Sequence, residues 1–448
     1  MNIVFLTHYF APEGNAPASR VHGMCRRWVR AGHRVTVVTG VPNVPSGVVY
    51  DGYRNVWCTR EIMDGIEVIR GRTYLAANKG FMRRIVNYLS YEAMAIWRVA
   101  RLPKPDLIVA TSPQFFCGWA GVWAARIKRV PLVLEIRDLW PDSILAVSPG
   151  SRGQENRAGI GGRLIIGYLR WLETRMYAAA HHIVTVGEGY REELTRRGVP
   201  AEKMSVITNG VDSGTYQPRP ASTHLREQAG AKRGDDTFLV GYIGTVGLAH
   251  GLTVVIAAAR HARYRGLDRL RFVVVGDGAE RASLLEELAR DDPGNVRFVG
   301  RRPKNEMADW LASVDACLVH LRAAELFKSV LPSKIFEACA MAKPIILGVR
   351  GHASRLLEQL GGGVCIEPER PDELVSAACR MMDQPLWAAS LGMAGRREVI
   401  RRFDLDPLAA RYEATLKRCL ETRGSTYTRA DGGRRASWPS ESPPRRMR

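Results

Sequence analysis

The sequence predicts an α/β protein built from two doubly wound domains, each with a parallel sheet between layers of helices. Three observations support this fold class. Short apolar runs alternate with helical stretches along most of the chain. A glycine-containing loop follows the first strand of each half, where ligands meet the carboxyl ends of parallel strands. The 448 residues, 46% of them hydrophobic, suffice for two separate cores.

The charge balance is strongly basic, with 65 lysine and arginine residues against 45 aspartate and glutamate residues and a net charge of +20. Such a surface favours polyanions, namely nucleic acid, an anionic lipid leaflet or phosphorylated substrates. The eight cysteines are isolated, which is typical of reduced thiols in a cytosolic enzyme rather than a disulfide framework. No apolar run fits a signal sequence or a bilayer span, so we expect a cytoplasmic protein, free or peripheral on the inner face of the plasma membrane.

The N-terminal half opens with a strand, a loop, a helix and a second strand. Residues 3–6 form the predicted first strand, the loop contains Gly14, and a helix over 19–31 leads to the strand at 35–38. Arg20 lies at the start of that helix. The further predicted strands of this half are 107–110, 131–135, 182–186 and 204–208, and its further predicted helices are 115–127 and 163–179.

The C-terminal half repeats the pattern. The strand at 238–244 leads into a loop with Gly244 and Thr245, and the strand at 271–275 leads into Gly276. Backbone N–H groups at such glycines can approach a phosphate closely. Neither Gly276 nor the earlier loop near residue 187 continues into a complete dinucleotide fingerprint, which argues against a nicotinamide or flavin cofactor. The further predicted elements are strands 296–300, 315–319 and 345–347 and helices 371–383, 385–402 and 405–420.

The stretch from Glu325 to Leu347 is expected to hold the chemistry. Pro332 and Ser333 predict a helix start with the serine as its cap, and Lys334 and Glu337 follow on one helical face. Free N–H groups and the lysine suit an anion, and the glutamate can accept from a diol, as a nucleotide sugar requires. The same residues also fit an ordinary surface helix with an ion pair three residues apart.

Residues 332–346, PSKIFEACAMAKPII, closely resemble the donor-binding segment of the family 4 retaining glycosyltransferases of the GT-B fold. The resemblance covers roughly residues 1–420 and implies two Rossmann-like domains that face each other across a cleft. The donor would lie mostly on the C-terminal domain and the acceptor mostly on the N-terminal one. This family usually has two glutamates at a fixed spacing. Here the second glutamate is Glu337, whereas the position of the first is occupied by Ser329. Glu325, one helical turn earlier, is a candidate substitute for the first glutamate.

The resemblance implies a donor site formed by both halves. Its expected donor contacts are Gly14, Arg20, Arg137, Gly244, Thr245, Gly276, Arg302, Ser329, Ser333, Lys334 and Glu337. The loops with Gly14 and Gly244 would face the phosphates, and the loop with Arg302 would meet the nucleobase through its backbone. The family commonly has a lysine at the position of His250, so Lys334 and the backbone would contribute more of the phosphate recognition here.

Residues 137–143, RDLWPDS, are similar to the equivalent stretch of transferases that add amino sugars to lipid-linked acceptors in surface-polysaccharide assembly. Asp138 is interpreted as the residue that orients the acceptor or accepts its proton, and Arg137 as a phosphate contact. Many family members have histidine in place of Arg137. A buried Arg–Asp pair that braces Trp140 is the alternative interpretation. The expected catalytic residues are Asp138, Lys334 and Glu337.

The resemblance also sets the expected domain boundaries. Residues 1–210 form the acceptor domain, 211–237 the linker and 238–402 the nucleotide-sugar domain. A helix over 403–420 would cross back to the first domain. Residues 421–448 are rich in Gly, Ser, Pro and Arg and are predicted to be a disordered basic tail.

Two stretches, residues 79–101 and 162–175, mix arginine with aromatic and aliphatic residues at helical spacing. They fit half-buried helices with solvated arginines. They fit equally well a basic amphipathic face that lies on an anionic membrane surface.

The expected function is a retaining glycosyltransferase of surface-polysaccharide synthesis. It would move a sugar, preferably an N-acetyl amino sugar linked to uridine diphosphate, to a glycan or a polyprenyl-lipid-linked acceptor. No cofactor is expected, and no metal, because Asp404 and Asp406 match a D-x-D motif but precede Pro407 at a helix start, which favours capping. The alternatives are a nucleotide-sugar 2-epimerase of the same fold and a non-enzymatic nucleic-acid-binding protein. The basic amphipathic helices count against the epimerase, and the sequence has no RNA-binding signature.

Overall fold

The structure is a computed structural model, and it describes residues 1–44, 47–75, 81–112, 115–139, 160–231, 234 and 236–430. It contains two sheets, one in each half of the chain, with eight and six strands. Both are α/β sheets with parallel central strands, which confirms the predicted fold class. Among the described helices, none is long and apolar enough to cross a membrane.

The N-terminal sheet has the strand order β3-β4-β2-β1-β5-β6-β7-β8, and only the edge pair β3–β4 is antiparallel. Its strands are β1 (Asn2–Leu6), β2 (Arg34–Thr39), β3 (Cys58–Met63), β4 (Ile66–Gly71), β5 (Leu107–Thr111), β6 (Leu132–Ile136), β7 (His182–Thr185) and β8 (Met204–Val206). The central strands β5 and β6 are buried along their whole length, since helices cover both faces of a parallel sheet. The described helices of this half are α1 (Ala16–Arg30), α2 (Phe81–Arg101), α3 (Phe115–Lys128), α4 (Ile160–Ala179) and α5 (Glu188–Arg196).

The C-terminal sheet is parallel throughout, with the order β11-β10-β9-β12-β13-β14. Its strands are β9 (Phe238–Ile243), β10 (Leu270–Val275), β11 (Val296–Gly300), β12 (Ala316–His320), β13 (Ile345–Gly348) and β14 (Gly363–Cys365). Helix α6 (Thr223–Gln228) precedes it. The helices that follow are α7 (Thr253–Tyr264), α8 (Arg281–Arg290), α9 (Met307–Ser313), α10 (Lys334–Ala340), α11 (His352–Leu360), α12 (Pro371–Asp383), α13 (Pro385–Phe403) and α14 (Leu405–Ala430).

The last helix, α14, returns to the N-terminal half and packs on α1. The Trp28 indole N–H donates to the carbonyl of Ala409 over 3.2 Å, and the Trp28 ring meets Tyr412 edge-on with centroids 5.1 Å apart. The chain therefore passes between the halves twice. At the crossing, the Val211 amide donates to Phe403 and the Leu405 amide donates to Val211, each over 3.0 Å.

Several details differ from the sequence prediction. The edge strand β3 and its antiparallel neighbour β4 have no counterpart in it. Helix α14 runs to Ala430, beyond the predicted end at residue 420, and the rest of the predicted tail, 431–448, lies outside the described residues. Trp140 and the end of the RDLWPDS stretch also lie outside them.

Candidate active site

Two glycine loops pack against each other at the carboxyl edge of the C-terminal sheet. Gly244 follows β9 with φ +140° and Gly276 follows β10 with φ +152°, a region that favours glycine. A methyl group on Gly276 would lie 1.8 Å from the Gly244 carbonyl oxygen, and one on Gly278 would lie 2.3 Å from that of Val246. Glycine at these positions therefore lets the two loops pack backbone against backbone.

The Lys334 side chain rests against these loops. Its ammonium donates to the Tyr242 hydroxyl and lies 3.8 Å from the centroid of the Tyr242 ring. A methyl group on Gly244 would lie 2.2 Å from Lys334 Cε. Burial lowers the pKa of the Lys334 ammonium to about 7, and the charge of Glu337 partly opposes this shift. Lys334 thus places a cation next to the glycine loops.

Glu337 lies one turn along α10 from Lys334. Burial raises the pKa of its carboxyl, while the charges of Lys304 and Lys334 and a hydrogen bond from the Tyr216 hydroxyl oppose the rise. Tyr216 is a buried residue of the segment between the two sheets. The carboxylate therefore has one protein donor from Tyr216 and keeps acceptor positions for a ligand. Sequence reasoning missed Tyr216 and Lys304, because both lie in irregular segments without a motif.

His250 does not supply a second cation beside Lys334. Burial, and after it the neighbouring charge of Lys334, lowers the pKa of its imidazole to about 3. Its Nδ1 atom lies 3.2 Å from the Gly247 carbonyl oxygen, within the same loop. The ring is therefore neutral near pH 7, and Lys334 is the cation nearest this loop's Gly244.

The structure corrects two expectations about the stretch before α10. Ser333 has helical backbone angles and makes no side-chain cap hydrogen bond; its carbonyl oxygen accepts from the amides of Phe336 and Glu337 instead. Glu325 forms an ion pair of 2.7 Å with Lys328, and its side chain is 87% exposed, so it does not take the place of the missing family glutamate.

Ser329 lies close to the N-terminal half. A methyl group on Gly189, at the start of α5, would lie 3.2 Å from Ser329 Cβ and 2.9 Å from the His352 imidazole. One on Gly187 would lie 3.5 Å from Leu331. The stretch before α10 thus packs against the start of α5 in the N-terminal half.

Two other predicted donor residues lie at the edge of the glycine loops. Thr245 is exposed, and its carbonyl oxygen accepts from the Tyr242 hydroxyl over 2.6 Å. Arg302, in the loop after β11, donates to Gln228 over 3.0 Å and stacks near Trp310, with 5.9 Å to the ring centroid. The Arg302 side chain is engaged in these contacts.

The predicted phosphate contact of Arg20 is wrong on geometric grounds. Its buried guanidinium forms an ion pair of 3.1 Å with Glu135 and donates to the carbonyls of Ile207 and Thr208 over 2.7 and 2.6 Å. These contacts tie α1 to the end of β8. Arg20 is therefore a structural residue. Its position at the start of the helix after the Gly14 loop led to the wrong prediction of a phosphate contact.

The loop after β1, which contains Gly14, is held in place by Glu13. The Glu13 carboxylate accepts from the backbone amides of Asn43 and Val44 over 3.0 and 3.2 Å, which joins the loops after β1 and β2. Burial raises the pKa of Glu13 to about 7. Gly14 is exposed with open space around it, so its backbone is accessible to a ligand.

Arg137 and Asp138 follow β6 and lie near Tyr190 of α5. Arg137 donates from its guanidinium to the Pro17 carbonyl over 3.2 Å, and burial lowers its pKa to about 10. Burial also raises the pKa of the Tyr190 hydroxyl, a shift that the charge of Asp138 increases and that of Arg137 opposes. An Asp138 oxygen accepts from the Leu139 amide over 3.0 Å. This cluster lies at the carboxyl edge of the N-terminal sheet, and its acceptor-side role stays a prediction.

Asp404 and Asp406 have structural contacts. Asp404 accepts from the Asp406 amide over 3.0 Å at the start of α14, and the Asp406 carboxylate pairs with Arg27 of α1. Both carboxylates thus help to seat α14, as the capping interpretation predicts.

Two family models match this chain. Residues 15–210 match the Glycosyl transferase 4-like domain, and residues 237–384 match the Glycosyl transferases group 1 domain. The two matches fall on the two α/β halves of the structure.

Individual proteins give the same result. WcaI of Escherichia coli (strain K12), named as a glycosyl transferase of colanic acid biosynthesis, is 25% identical over 361 residues, which cover 78% of this chain and 84% of WcaI. The GDP-mannose-dependent alpha-mannosyltransferase of Mycolicibacterium smegmatis is 24% identical over 422 residues, which cover 93% of this chain and 98% of that enzyme. Sucrose-phosphate synthase from Thermosynechococcus elongatus has the same fold, with a TM-score of 0.73 at 17% identity over 94% of this chain and 99% of that structure. The chain therefore belongs to the family 4 glycosyltransferases of the GT-B fold.

Proposed function

We propose that the protein transfers an N-acetyl amino sugar from uridine diphosphate to a glycan or polyprenyl-lipid-linked acceptor in surface-polysaccharide synthesis, with retention of configuration and without a metal ion. The observation that supports a nucleotide-sugar site best is the position of Lys334, with its ammonium against Gly244 and on the Tyr242 ring. A cation beside accessible backbone suits a diphosphate.

The donor fits along the carboxyl edge of the C-terminal sheet. The diphosphate lies on the loops of Gly244 and Gly276 with Lys334 as its counter-ion. The ribose diol donates to Glu337, one helical turn away, and the nucleobase meets the backbone around Arg302. This order places the sugar at the gap between the halves, opposite Asp138 and Arg137.

Catalysis then depends on orientation and charge stabilisation. As the glycosidic bond breaks, negative charge develops on the leaving diphosphate, and the Lys334 ammonium stabilises this charge without a metal ion. The departing diphosphate oxygen lies on the same face of the sugar as the incoming acceptor hydroxyl and accepts its proton, which gives retention. Asp138 orients that acceptor from the opposite domain.

The choice of uridine diphosphate and of an amino sugar rests on the similarity of RDLWPDS to amino-sugar transferases. Guanosine diphosphate is the rival nucleotide, because the mycobacterial relative is named for GDP-mannose. A screen of both nucleotide-sugar classes for protection against thermal unfolding distinguishes them, since a ligand specific for the folded state raises the melting temperature.

The test of the function uses the same donors with a membrane extract. We expect uridine diphosphate release that depends on the extract, and we expect Lys334→Ala and Glu337→Ala to lower turnover at least about a hundredfold with little change in melting temperature. The matched control is Lys417→Met, an exposed lysine of α14. Full turnover in either site variant, or protection by no nucleotide sugar, would refute the assignment.

We also propose that the N-terminal domain binds an anionic membrane surface through α2, α3 and α4, which pack side by side. Each presents exposed large apolar side chains, namely Val86 and Leu89, Trp123 and Ile127, and Tyr168 and Trp171. Arginines lie over the tryptophans of all three helices: Arg101 on Trp97, Arg126 on Trp123 and Arg175 on Trp171. Aromatic rings with adjacent cations are typical of helices at headgroup level, and a lipid-linked acceptor would be presented there.

Vesicle sedimentation tests this surface. We expect binding to vesicles that contain phosphatidylglycerol, weak binding to pure phosphatidylcholine and a loss with added salt. Trp123→Ser together with Trp171→Ser should reduce binding about tenfold or more. The control is Tyr264→Ser, which removes an exposed aromatic ring from the C-terminal domain. Equal binding of both variants would contradict the proposed surface.

A further inference from the structure

The loop after β11 contains a lysine that the donor site described above does not use. Lys304 begins a 3-10 turn, Lys304–Glu306, at the carboxyl end of this strand. That is the sheet edge on which Gly244 and Gly276 lie, because β9, β10 and β11 are adjacent and parallel. Its side chain is exposed and emerges beside the donor site.

The other two cations of this loop already have partners. Arg301 donates to the hydroxyl of Tyr50 in the N-terminal domain, and Arg302 donates to Gln228. The Lys304 ammonium, in contrast, forms no hydrogen bond or ion pair with any residue in the part of the chain that the structure describes. Its three N–H donors are therefore available to a ligand.

The electrostatic neighbours of Lys304 place it beside Glu337. Loss of hydration lowers the pKa of the Lys304 ammonium, and the negative charges of Glu337 and then Asp212 oppose this shift, while Arg26 adds to it. Conversely, Lys304 stabilises the Glu337 carboxylate more than Lys334 does. Glu337 therefore interacts electrostatically with two lysines, Lys334 at the glycine loops and Lys304 in the loop after β11.

We propose that Lys304 binds the ribose of the donor nucleotide and reads its hydroxyl groups together with Glu337. This inference rests on the proposed nucleotide-sugar site. Each ribose hydroxyl is both a donor and an acceptor, and a carboxylate satisfies only the donor side. The Lys304 ammonium supplies donors to the hydroxyl oxygens, and Glu337 accepts their hydrogens. Since Lys334 binds the diphosphate in this proposal, Lys304 is the lysine that remains for the ribose.

Deoxynucleotides test this arrangement directly. Dissociation constants of uridine and guanosine diphosphate and of their 2′-deoxy and 3′-deoxy forms are measured by calorimetry for the wild type, Lys304→Met and Lys304→Arg. In Lys304→Met we expect about tenfold weaker binding of the better ribonucleotide and little change for at least one of its deoxy forms. The preference for ribose should fall by the same factor, and Lys304→Arg should restore part of it.

Lys417→Met, which removes the same charge from α14, should leave the ribose preference unchanged. An equal loss for all nucleotides in Lys304→Met would mean that the lysine acts only through its charge, and an unchanged affinity would mean that it makes no contact; either result overturns the inference. If the wild type binds neither nucleotide, the proposed function fails with it. If the wild type binds a nucleotide but Lys304→Met keeps the same preference for ribose, only the role of Lys304 fails. Melting temperatures check that each variant is folded.

Discussion

The Lys334 amine leads to a prediction about pH at the scale of one residue. Because burial lowers its pKa to about 7, the amine is about half neutral near pH 7 in the free protein. A bound diphosphate favours the ammonium and raises this pKa. Binding therefore takes up a proton above pH 7, and nucleotide affinity should fall as pH rises from about 7 to about 9, by at most about tenfold per unit.

Calorimetry at about pH 8 in two buffers with different ionisation enthalpies measures that proton. The nucleotide itself contributes little there, because its phosphate has a pKa of about 6. The wild type should take up close to one proton on binding uridine diphosphate, and Lys334→Arg, whose charge does not titrate in this range, should take up almost none. Equal uptake by both proteins would show that another group titrates.

Residue types predicted only part of the site. The proline, lysine and glutamate of PSKIFEA predicted a helix with Lys334 and Glu337 on one face, and α10 has both within one turn. Arg20 was assigned wrongly because its partner Glu135 belongs to a distant strand, and nothing in a single sequence shows that the two charges meet inside the core. Tertiary packing brings the Tyr216 hydroxyl into hydrogen-bond contact with Glu337 and Lys304 close enough to act on its charge, so no local motif predicts either residue.

At the scale of elements, the contact between the loops after β9 and β10 leads to a stability prediction. Gly276→Ala combines a strained φ with a clash against the Gly244 carbonyl and should lower the melting temperature by about 4 °C or more. Gly266→Ala is the matched control, since Gly266 also has a positive φ, +69°, but open space around it. Differential scanning calorimetry measures the melting temperatures of both variants. Equal decreases in melting temperature would mean that the clash between the loops adds nothing to the backbone strain.

Apolar runs predicted the buried strands well because central parallel strands are covered on both faces. The strand β11, for example, was predicted at 296–300 and observed as Val296–Gly300. The edge strand β3, Cys58–Met63, was missed because none of its side chains is buried and Thr59, Arg60 and Glu61 interrupt any apolar run. The short helix α5 was missed for a similar reason: Glu188–Arg196 is rich in charge and its packing face is small.

At the scale of the whole molecule, the proposed reaction assigns the donor mostly to one half and the acceptor mostly to the other. Two sets of contacts join the halves: the backbone hydrogen bonds of Val211 with Phe403 and Leu405, and the packing of α14 on α1. On either side of the gap lie Lys334 with Glu337 and Arg137 with Asp138. The basic net charge is then explained in part by the arginines of the proposed membrane face and in part by the site for a diphosphate.

The most direct test of the central claim is a crystal structure of the protein with a uridine or guanosine diphosphate sugar bound. We predict that a diphosphate oxygen contacts Lys334 Nζ beside Gly244, that the ribose hydroxyls contact Glu337, and that the sugar faces Asp138. A nucleotide bound elsewhere, or bound in this cleft without contact to Lys334 and Glu337, would contradict the account.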